Sequence, residues 1–481
     1  MAAQVEVAAT NQSHRRNFRS QCAHTALALL LFIVLGSLPS AAQTRLVVRD
    51  TLGLPSLQNV CRLLGCSVIQ AVGDPDGQVF VVQLPRVLDP ITTQLLLQLN
   101  LGIASVELDQ VVHTLGADAG PAPDYLTDTT PVSYYGASVW RGYITQPAAQ
   151  LIRNDATHST WNAAGNNVIV AVIDTGVDPN HPVLNNVLVP GYDFTRNSTG
   201  GSEMADVSQS TVAVLDRPKA AKVSQSTVAV LDQSTVAVLD GNGYAAFGHG
   251  TMTSGIVHLV APQAKIMPLK SFNADGSAYD SDILRAIYYA TAHGASVINM
   301  SFNYTTASPE LEKAVNYATS KGVICVAAAG NDGEEETVYP AALKNVIDVA
   351  SSSNTDIRST FSNYGAPPVW ITAPGEGVMT TYPFGTYAAG WGTSFSAPLA
   401  AGTAAEMVGL YKVQATSQTT LSLGSLSLSL SLQANTNTPS SKSQVATALS
   451  HAQPISDPQL GYGRLDTYKA VQSWRTTLGL K

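Results

Sequence analysis

Several features that mark common protein classes are scarce in this chain. Charged residues fill only 12% of its 481 positions, about half the usual share, so a chain held open by its own charge is excluded. There is no basic excess. The 26 Lys and Arg stand against 34 Asp and Glu, a net charge of −8, which argues against nucleic acid as a partner. Cysteine numbers only four, with no zinc-site spacing and no disulfide framework across the chain. Apart from one stretch near the N-terminus, long apolar runs are missing, which excludes a multi-span membrane protein. What is present is 45% hydrophobic residues, enough for a sizeable core, over a length that suggests about three domains of ~150 residues.

The N-terminal stretch reads as a leader. Arg15, Arg16 and Arg19 precede the apolar run Ala26–Leu35, and Gly36, Pro39, Ser40, Ala41 and Ala42 follow. A positive region, a short apolar core and a small-residue exit predict a signal peptide at 1–42, cut after Ala42. The product is then expected to be secreted, to the periplasm or the outside. Cys22 leaves with the leader. Cys61 and Cys66 are close enough to pair in an oxidising compartment, and Cys325, inside Val323–Ala329, reads as a small buried hydrophobe.

Residues 43–113 form a small unit by pattern. Arg45–Arg49 alternates like a strand, and Leu57, Val60, Cys61 and Leu64 have helical spacing. Cys66–Val72 and Gln78–Gln83 read as strands around a Gly/Asp/Pro turn, Asp89–Leu99 as a helix with Pro90 at its start, and Ile103–Val112 as a last strand. That order, β-α-β-β-α-β, is the ferredoxin-like pattern of a small α+β domain. Residues 114–139, rich in Gly, Pro, Asp and Thr, read as a linker.

From 140 to 481 apolar strands alternate with helices. Val168–Ile173, Lys265–Leu269, Val297–Met300, Val323–Ala328 and Val346–Val349 are strands. Gln146–Asn154, Ser281–His293, Pro309–Ser320 and Phe395–Tyr411 are helices. Such alternation predicts an α/β fold with a doubly wound parallel sheet. Two segments look inserted. At 207–240 the octet Gln-Ser-Thr-Val-Ala-Val-Leu-Asp starts at Gln209, Gln225 and Gln233 and suggests a surface hairpin. At 421–432 Leu and Ser alternate in what reads as a flexible excursion.

Three short motifs carry chemistry. The strand Val168–Ile173 runs into Asp174-Thr-Gly176, and sites in open parallel sheets form beyond the carboxyl ends of strands. Gly248-His249-Gly250-Thr251 offers an imidazole that titrates near neutrality, between glycines that allow close approach to a ligand. Gly392-Thr-Ser394-Phe-Ser-Ala-Pro398 opens an apolar helix, whose first N–H groups suit a developing oxyanion; Pro398 lies about one turn in, near where proline is tolerated. Each motif alone has a structural reading as a turn, a core histidine or a cap. Together their order, Asp then His then Ser, is that of the subtilisin type of triad.

On these motifs, with Ala327-Ala-Ala-Gly330-Asn331-Asp-Gly333 and Gly461-Tyr-Gly463-Arg-Leu-Asp466, the chain over roughly 140–475 resembles the subtilisin-like serine proteases, the subtilases. Residues 45–113 resemble the inhibitory propeptide of these enzymes in topology. The resemblance implies that Ser394 is the nucleophile, His249 the general base and Asp174 its orienting carboxylate. It also implies that Asn331 binds the oxyanion and that Ser301, Phe302, Asn303, Ala328, Ala329 and Gly330 wall an extended peptide. Asn303 stands where the family usually has Gly and is expected to crowd a side-chain pocket.

The chemistry implied needs no cofactor. Calcium is common in the family, but His181-Pro182 is followed by Val183 instead of Asp, so the usual site is expected to be absent. No other cluster suggests a metal. The expected partners are protein or peptide substrates and the chain's own propeptide, with no nucleic acid, and the enzyme is expected to be a monomer. Maturation would cut between Val112 and Asp124. Two alternatives are a self-processing protein without external substrates and a non-catalytic peptide binder on the same fold.

Overall fold

The structure, a computed structural model, describes residues 44–113, 120–207, 228–230, 244–365, 369–421 and 442–480. The expected leader at 1–42 lies outside the described residues. So do most of the octet copies and the Leu/Ser segment after Leu421. The chain forms two units. One holds the described residues up to Asp109 except 72–75, and the other holds those four and Gln110 onward.

The larger unit is built on an eight-stranded sheet. Its spatial order is Ser198–Gly200, Gly191–Asp193, Lys265–Lys270, Ile169–Asp174, Val297–Met300, Ile324–Ala328, Val346–Ser352 and Ile371–Pro374. Neighbours are parallel throughout, except for the antiparallel edge strand Ser198–Gly200. The central strands are apolar and buried along nearly their whole length, as expected of parallel strands covered by helices. The expected α/β class therefore holds.

The helices Thr393–Leu421 and His249–Val260 share the main core with the sheet, through Ala397, Ala400, Ala404, Ile256 and Val260 among others. Small residues let the two helices cross closely. A Cβ added to Gly402 would sit 2.6 Å from the Val260 Cβ. Helix Pro309–Ser320 forms with its predicted ends, capped by the Ser308 hydroxyl on the Leu311 N–H.

Three expectations need correction. Most of the supposed linker, from Gly120 on, is part of the larger unit. Its Leu126, Tyr134 and Val139 are buried in the main core, and the Tyr134 hydroxyl donates to the Leu259 carbonyl at 2.6 Å. The polar composition concealed a hairpin, Pro131–Tyr134 with Ala137–Trp140, turned by Tyr135 and Gly136 at positive φ. Second, the helix expected at Gln146–Asn154 ends at Leu151, and Arg153 in the left-handed region separates it from a second helix, Asn154–Trp161. Gln146 precedes the first helix, its buried amide bonding the Tyr143 and Met379 carbonyls. Third, the strand expected at Ile103–Val112 splits. Ile103–Leu108 belongs to the smaller unit, whereas Val111–His113 pairs antiparallel with Ser277–Tyr279 in the larger one. Of the octet copies, Val228–Val230 forms a short strand on Ala388–Gly390.

The smaller unit is a four-stranded antiparallel sheet in the order Ser67–Ala71, Val79–Gln83, Arg45–Asp50, Ile103–Leu108. With helices Leu54–Leu64 and Pro90–Gln98 this is the ferredoxin-like arrangement. Leu46, Val48, Leu57, Phe80, Val82 and Leu97 fill its core. Gly65, in the left-handed region, ends the first helix, and the Asp89 side chain caps the second on the Thr92 N–H. Cys61 and Cys66 are joined as a disulfide. Among the described residues, no helix is long and apolar enough to cross a membrane.

Candidate active site

Strand Ile169–Asp174 lies between Lys265–Lys270 and Val297–Met300. The chain leaves its carboxyl end toward Gly191–Asp193 and Lys265–Lys270 and then crosses to Val297–Met300 on the other side, the kind of reversal at which crevices open in such sheets. Asp174 ends it and is 1% exposed. A buried carboxylate needs donors, and Asp174 has three. Oδ1 accepts the His249 Nδ1–H and the Thr175 N–H at 2.8 and 2.7 Å, and Oδ2 accepts the Thr253 hydroxyl at 3.1 Å. His249 and Thr253 reach one carboxylate because residues four apart share a helix face.

His249 is the first residue of helix His249–Val260, after Gly248 in the left-handed conformation. The flanking glycines let protein segments meet closely. A Cβ on Gly250 would fall 1.9 Å from the Gly176 carbonyl oxygen. Gly250→Ala is therefore expected to destabilise the larger unit by roughly 3 kcal/mol or more, read as a lowered melting temperature or loss of soluble protein. Burial disfavours the charged imidazole of His249. The charge of Asp174, its hydrogen bond and the charge of Glu203 outweigh that, so its pKa lies above the ordinary value.

Ser394 lies in the first turn of helix Thr393–Leu421 and is nearly buried. Pro398 has no N–H for the Ser394 carbonyl four residues back. The Ser301 hydroxyl replaces it, donating to that carbonyl at 2.9 Å, and is itself held by the Asn299 amide at 2.9 Å. In return the Ser394 hydroxyl donates to the Ser301 carbonyl at 3.1 Å. The His249 ring lies 5.7 Å from the ring of Phe395, the next residue. Among the described residues the Ser394 hydroxyl bonds Ser301 and not His249.

Asn331 Oδ1 accepts the Thr393 N–H at 2.8 Å and the Thr393 hydroxyl at 2.9 Å. Those bonds fix the amide beside Ser394. Among the expected wall residues, Phe302 packs its ring on Phe272, and Ala328 and Ala329 are buried in separate clusters, so these three can offer only backbone to a peptide. Gly330 is at positive φ, and its absent Cβ would lie 3.3 Å from the buried Asn303 amide.

Sequence reasoning missed three groups here. The Ser277–Tyr279 edge, which takes Val111–His113 as a strand, is too short to read as periodic. Thr253 is legible only once the His249 helix is known. Glu203 is a lone acid far from any motif, yet it is fully buried against Thr175, Gly248 and Thr251. At the position where the family's calcium site was expected to be absent, Val183 is buried and its N–H bonds His181 Nδ1 at 3.2 Å. Among the described residues, no three His, Cys, Asp or Glu side chains cluster to hold a metal.

A parallel sheet wound to both sides from its Asp174 strand, crossed by the Ser394 helix, is a subtilisin-like α/β fold. The subtilase family model matches residues 165–463, and the chain belongs to the subtilase family. It is a subtilisin-like serine endopeptidase. It is similar to thermitase of Thermoactinomyces vulgaris, 34% identical over 255 residues, covering 51% of this chain and 76% of thermitase. It is also similar to a thermophilic serine proteinase of Bacillus sp. (strain AK1), 33% identical over 289 residues, or 59% and 61% of the two chains. In fold it resembles the crystal structure of fervidolysin from Fervidobacterium pennivorans, a keratinolytic enzyme related to subtilisin. That match has a TM-score of 0.63 and 23% identity over 91% of this chain, which spans 62% of fervidolysin.

Proposed function

We propose that this subtilase hydrolyses peptide bonds with Asp174, His249 and Ser394 as its triad, and that it is made as a secreted zymogen that processes itself. The observation that carries this reading is the 2.8 Å bond between His249 Nδ1 and the buried Asp174 carboxylate, beside a helix that begins with Ser394. That bond directs the Nδ1–H at Asp174 and leaves Nε2 as the basic nitrogen. The Ser394 Oγ attacks the scissile carbonyl as His249 Nε2 takes its proton. The imidazolium returns that proton to the leaving amine, and water then hydrolyses the acyl-enzyme by the same route. The Asn331 amide and the Ser394 N–H are the donors for the oxyanion.

Substrate would bind by strand addition. The pairing of Val111–His113 with Ser277–Tyr279 supports this, because it shows that edge accepting an extended segment of the chain itself. The ferredoxin-like unit is the propeptide in this reading. The test is labelling of purified full-length chain with a fluorophosphonate, followed by casein turnover. Labelling with turnover is expected. Labelling without turnover would favour a protein that processes only itself, and no labelling would favour a non-catalytic peptide binder.

A further inference from the structure

Behind the Asp174–His249 pair lies a second buried carboxylate that the mechanism above does not use. Glu203 sits on the single turn Glu203–Asp206 and is fully buried. Its Oε2 accepts the Thr175 hydroxyl and the Gly248 N–H, each at 2.9 Å. Its Oε1 accepts the Thr251 hydroxyl. Thr175 follows Asp174, Gly248 precedes His249, and Thr251 lies two residues beyond it. The clasp is extended by the Thr175 oxygen, which accepts the Gly250 N–H at 2.9 Å, and by the Thr251 oxygen, which accepts the Asp178 N–H at 2.8 Å. Every partner of Glu203 is thus within two residues of a triad member.

Among the described residues, no cation bonds this carboxylate. The buried Lys270 amine spends its donors on the Thr175 and Phe272 carbonyls and on Asp206, at 2.8, 2.6 and 2.7 Å. Burying an ion without a direct counter-ion costs several kcal/mol. Holding two loops together needs only a neutral acceptor, so a charge there points to a use for the charge. The start of helix His249–Val260 offsets part of the cost, since its Gly248 N–H and positive dipole end face the carboxylate.

We propose that Glu203 is a positioning residue of the proteolytic reaction, clasping the Asp174 and His249 segments together and placing a second anion behind the imidazole. This rests on the triad reading. Small errors in the placement of a base cost rate steeply, and an anion behind the ring favours the imidazolium that forms as Ser394 is deprotonated. The charged groups around His249 and Glu203 are Asp174, Asp178, Lys270 and Asp206. Burial pushes Glu203 up to about 7, against the pull of Thr251, Thr175, Lys270 and Gly248. The charge of Glu203 is one of the causes that raise His249, so the two titrations are coupled.

The test uses the full chain, with active sites counted by fluorophosphonate labelling. Glu203→Gln is expected to label fully, to lower kcat about 10- to 100-fold and to change KM less than about threefold. Loss of the anion lowers the pKa of His249, so the acid limb of the kcat/KM–pH profile moves to lower pH. A variant that labels fully with unchanged kcat and acid limb overturns the proposal. So does one that only loses labelled fraction while the limb stays put. If Glu203→Gln does not fold, Thr251→Ser and Thr251→Val decide. Loss of kcat in the valine variant alone supports the clasp, and equal kcat in both overturns it. Failure of the unaltered chain to label would instead refute the triad reading.

Discussion

Ser394→Ala is expected to lower kcat about 10⁶-fold and Asp174→Asn about 10⁴-fold, with KM little changed in either. On the proposed triad, the serine effect is loss of the nucleophile, which leaves binding and the proposed oxyanion donors, Asn331 and the backbone. The aspartate effect is smaller because the nucleophile and base both survive. Asp174 Oδ1 takes the His249 Nδ1–H at 2.8 Å and the Thr175 N–H at 2.7 Å, and Oδ2 takes the Thr253 hydroxyl. An asparagine can keep only one of these faces as an acceptor. If its amide nitrogen turns toward the ring, His249 must present a lone pair at Nδ1, and Nε2 carries the proton where the base is needed. Steady-state kinetics on a peptide amide test both variants. Ser394→Ala is further expected to remain a precursor, read by gel mobility. A processed product from that variant expressed alone would refute self-cleavage.

Stability is expected to be greatest near pH 4–5 and to fall as the pH climbs to about 7. Burial raises three carboxyl groups, Glu203, Asp348 and Glu406, to about 7. A raised carboxyl pKa means that the folded chain holds a proton which the unfolded chain has released, so stability drops as pH climbs from the unfolded value toward 7. His258, which burial pushes down to about 4, acts in the opposite sense from about 4 to 6.5 and offsets part of that fall.

Asp348 is the clearest test because its two oxygens are buried without a hydrogen-bond partner among the described residues. The nearby Val349 N–H lowers its pKa only in part. Its shift from 3.8 to about 7 sets a ceiling of about 4 kcal/mol on the penalty above neutrality. Asp348→Ala leaves a small cavity that costs about 1 kcal/mol. The variant should therefore gain roughly 2 kcal/mol at pH 8, about 5 °C in melting temperature, and gain little or nothing at pH 5. Melting curves from pH 5 to 9, measured in the Ser394→Ala background to prevent autolysis, check this. Equal shifts at both ends of the range would exclude titration of Asp348 as the cause.

The elements that could be read ahead of the structure are those whose pattern is local. Val297–Met300 and Pro309–Ser320 have the predicted ends, one a short apolar run and the other opened by Ser308-Pro309. Helix His249–Val260 could not be read, because it is buried on nearly every side and so lacks the polar face that makes a helical period visible. Its Gly250 and Gly255 also argued against a helix. The hairpin within 120–139 was hidden by turn residues that serve a packed structure as well as they serve a linker. Motif order singled out Asp174, His249 and Ser394, and the resemblance to the subtilases implied Asn331. Glu203 escaped because a clasp made of one carboxylate and scattered hydroxyls has no period and no fixed spacing.

The Ser301 and Ser394 exchange at the start of the long helix has a mechanical consequence. Because Pro398 removes the bond that would tie the Ser394 carbonyl into the helical ladder, the serine is anchored sideways, to the residue that follows strand Val297–Met300. Bending or fraying farther along that rod is transmitted poorly to the hydroxyl. The placement of Ser394 is therefore tied to the central sheet as well as to its own helix, so a substitution at Ser301 or Asn299 reaches the hydroxyl without touching the helix.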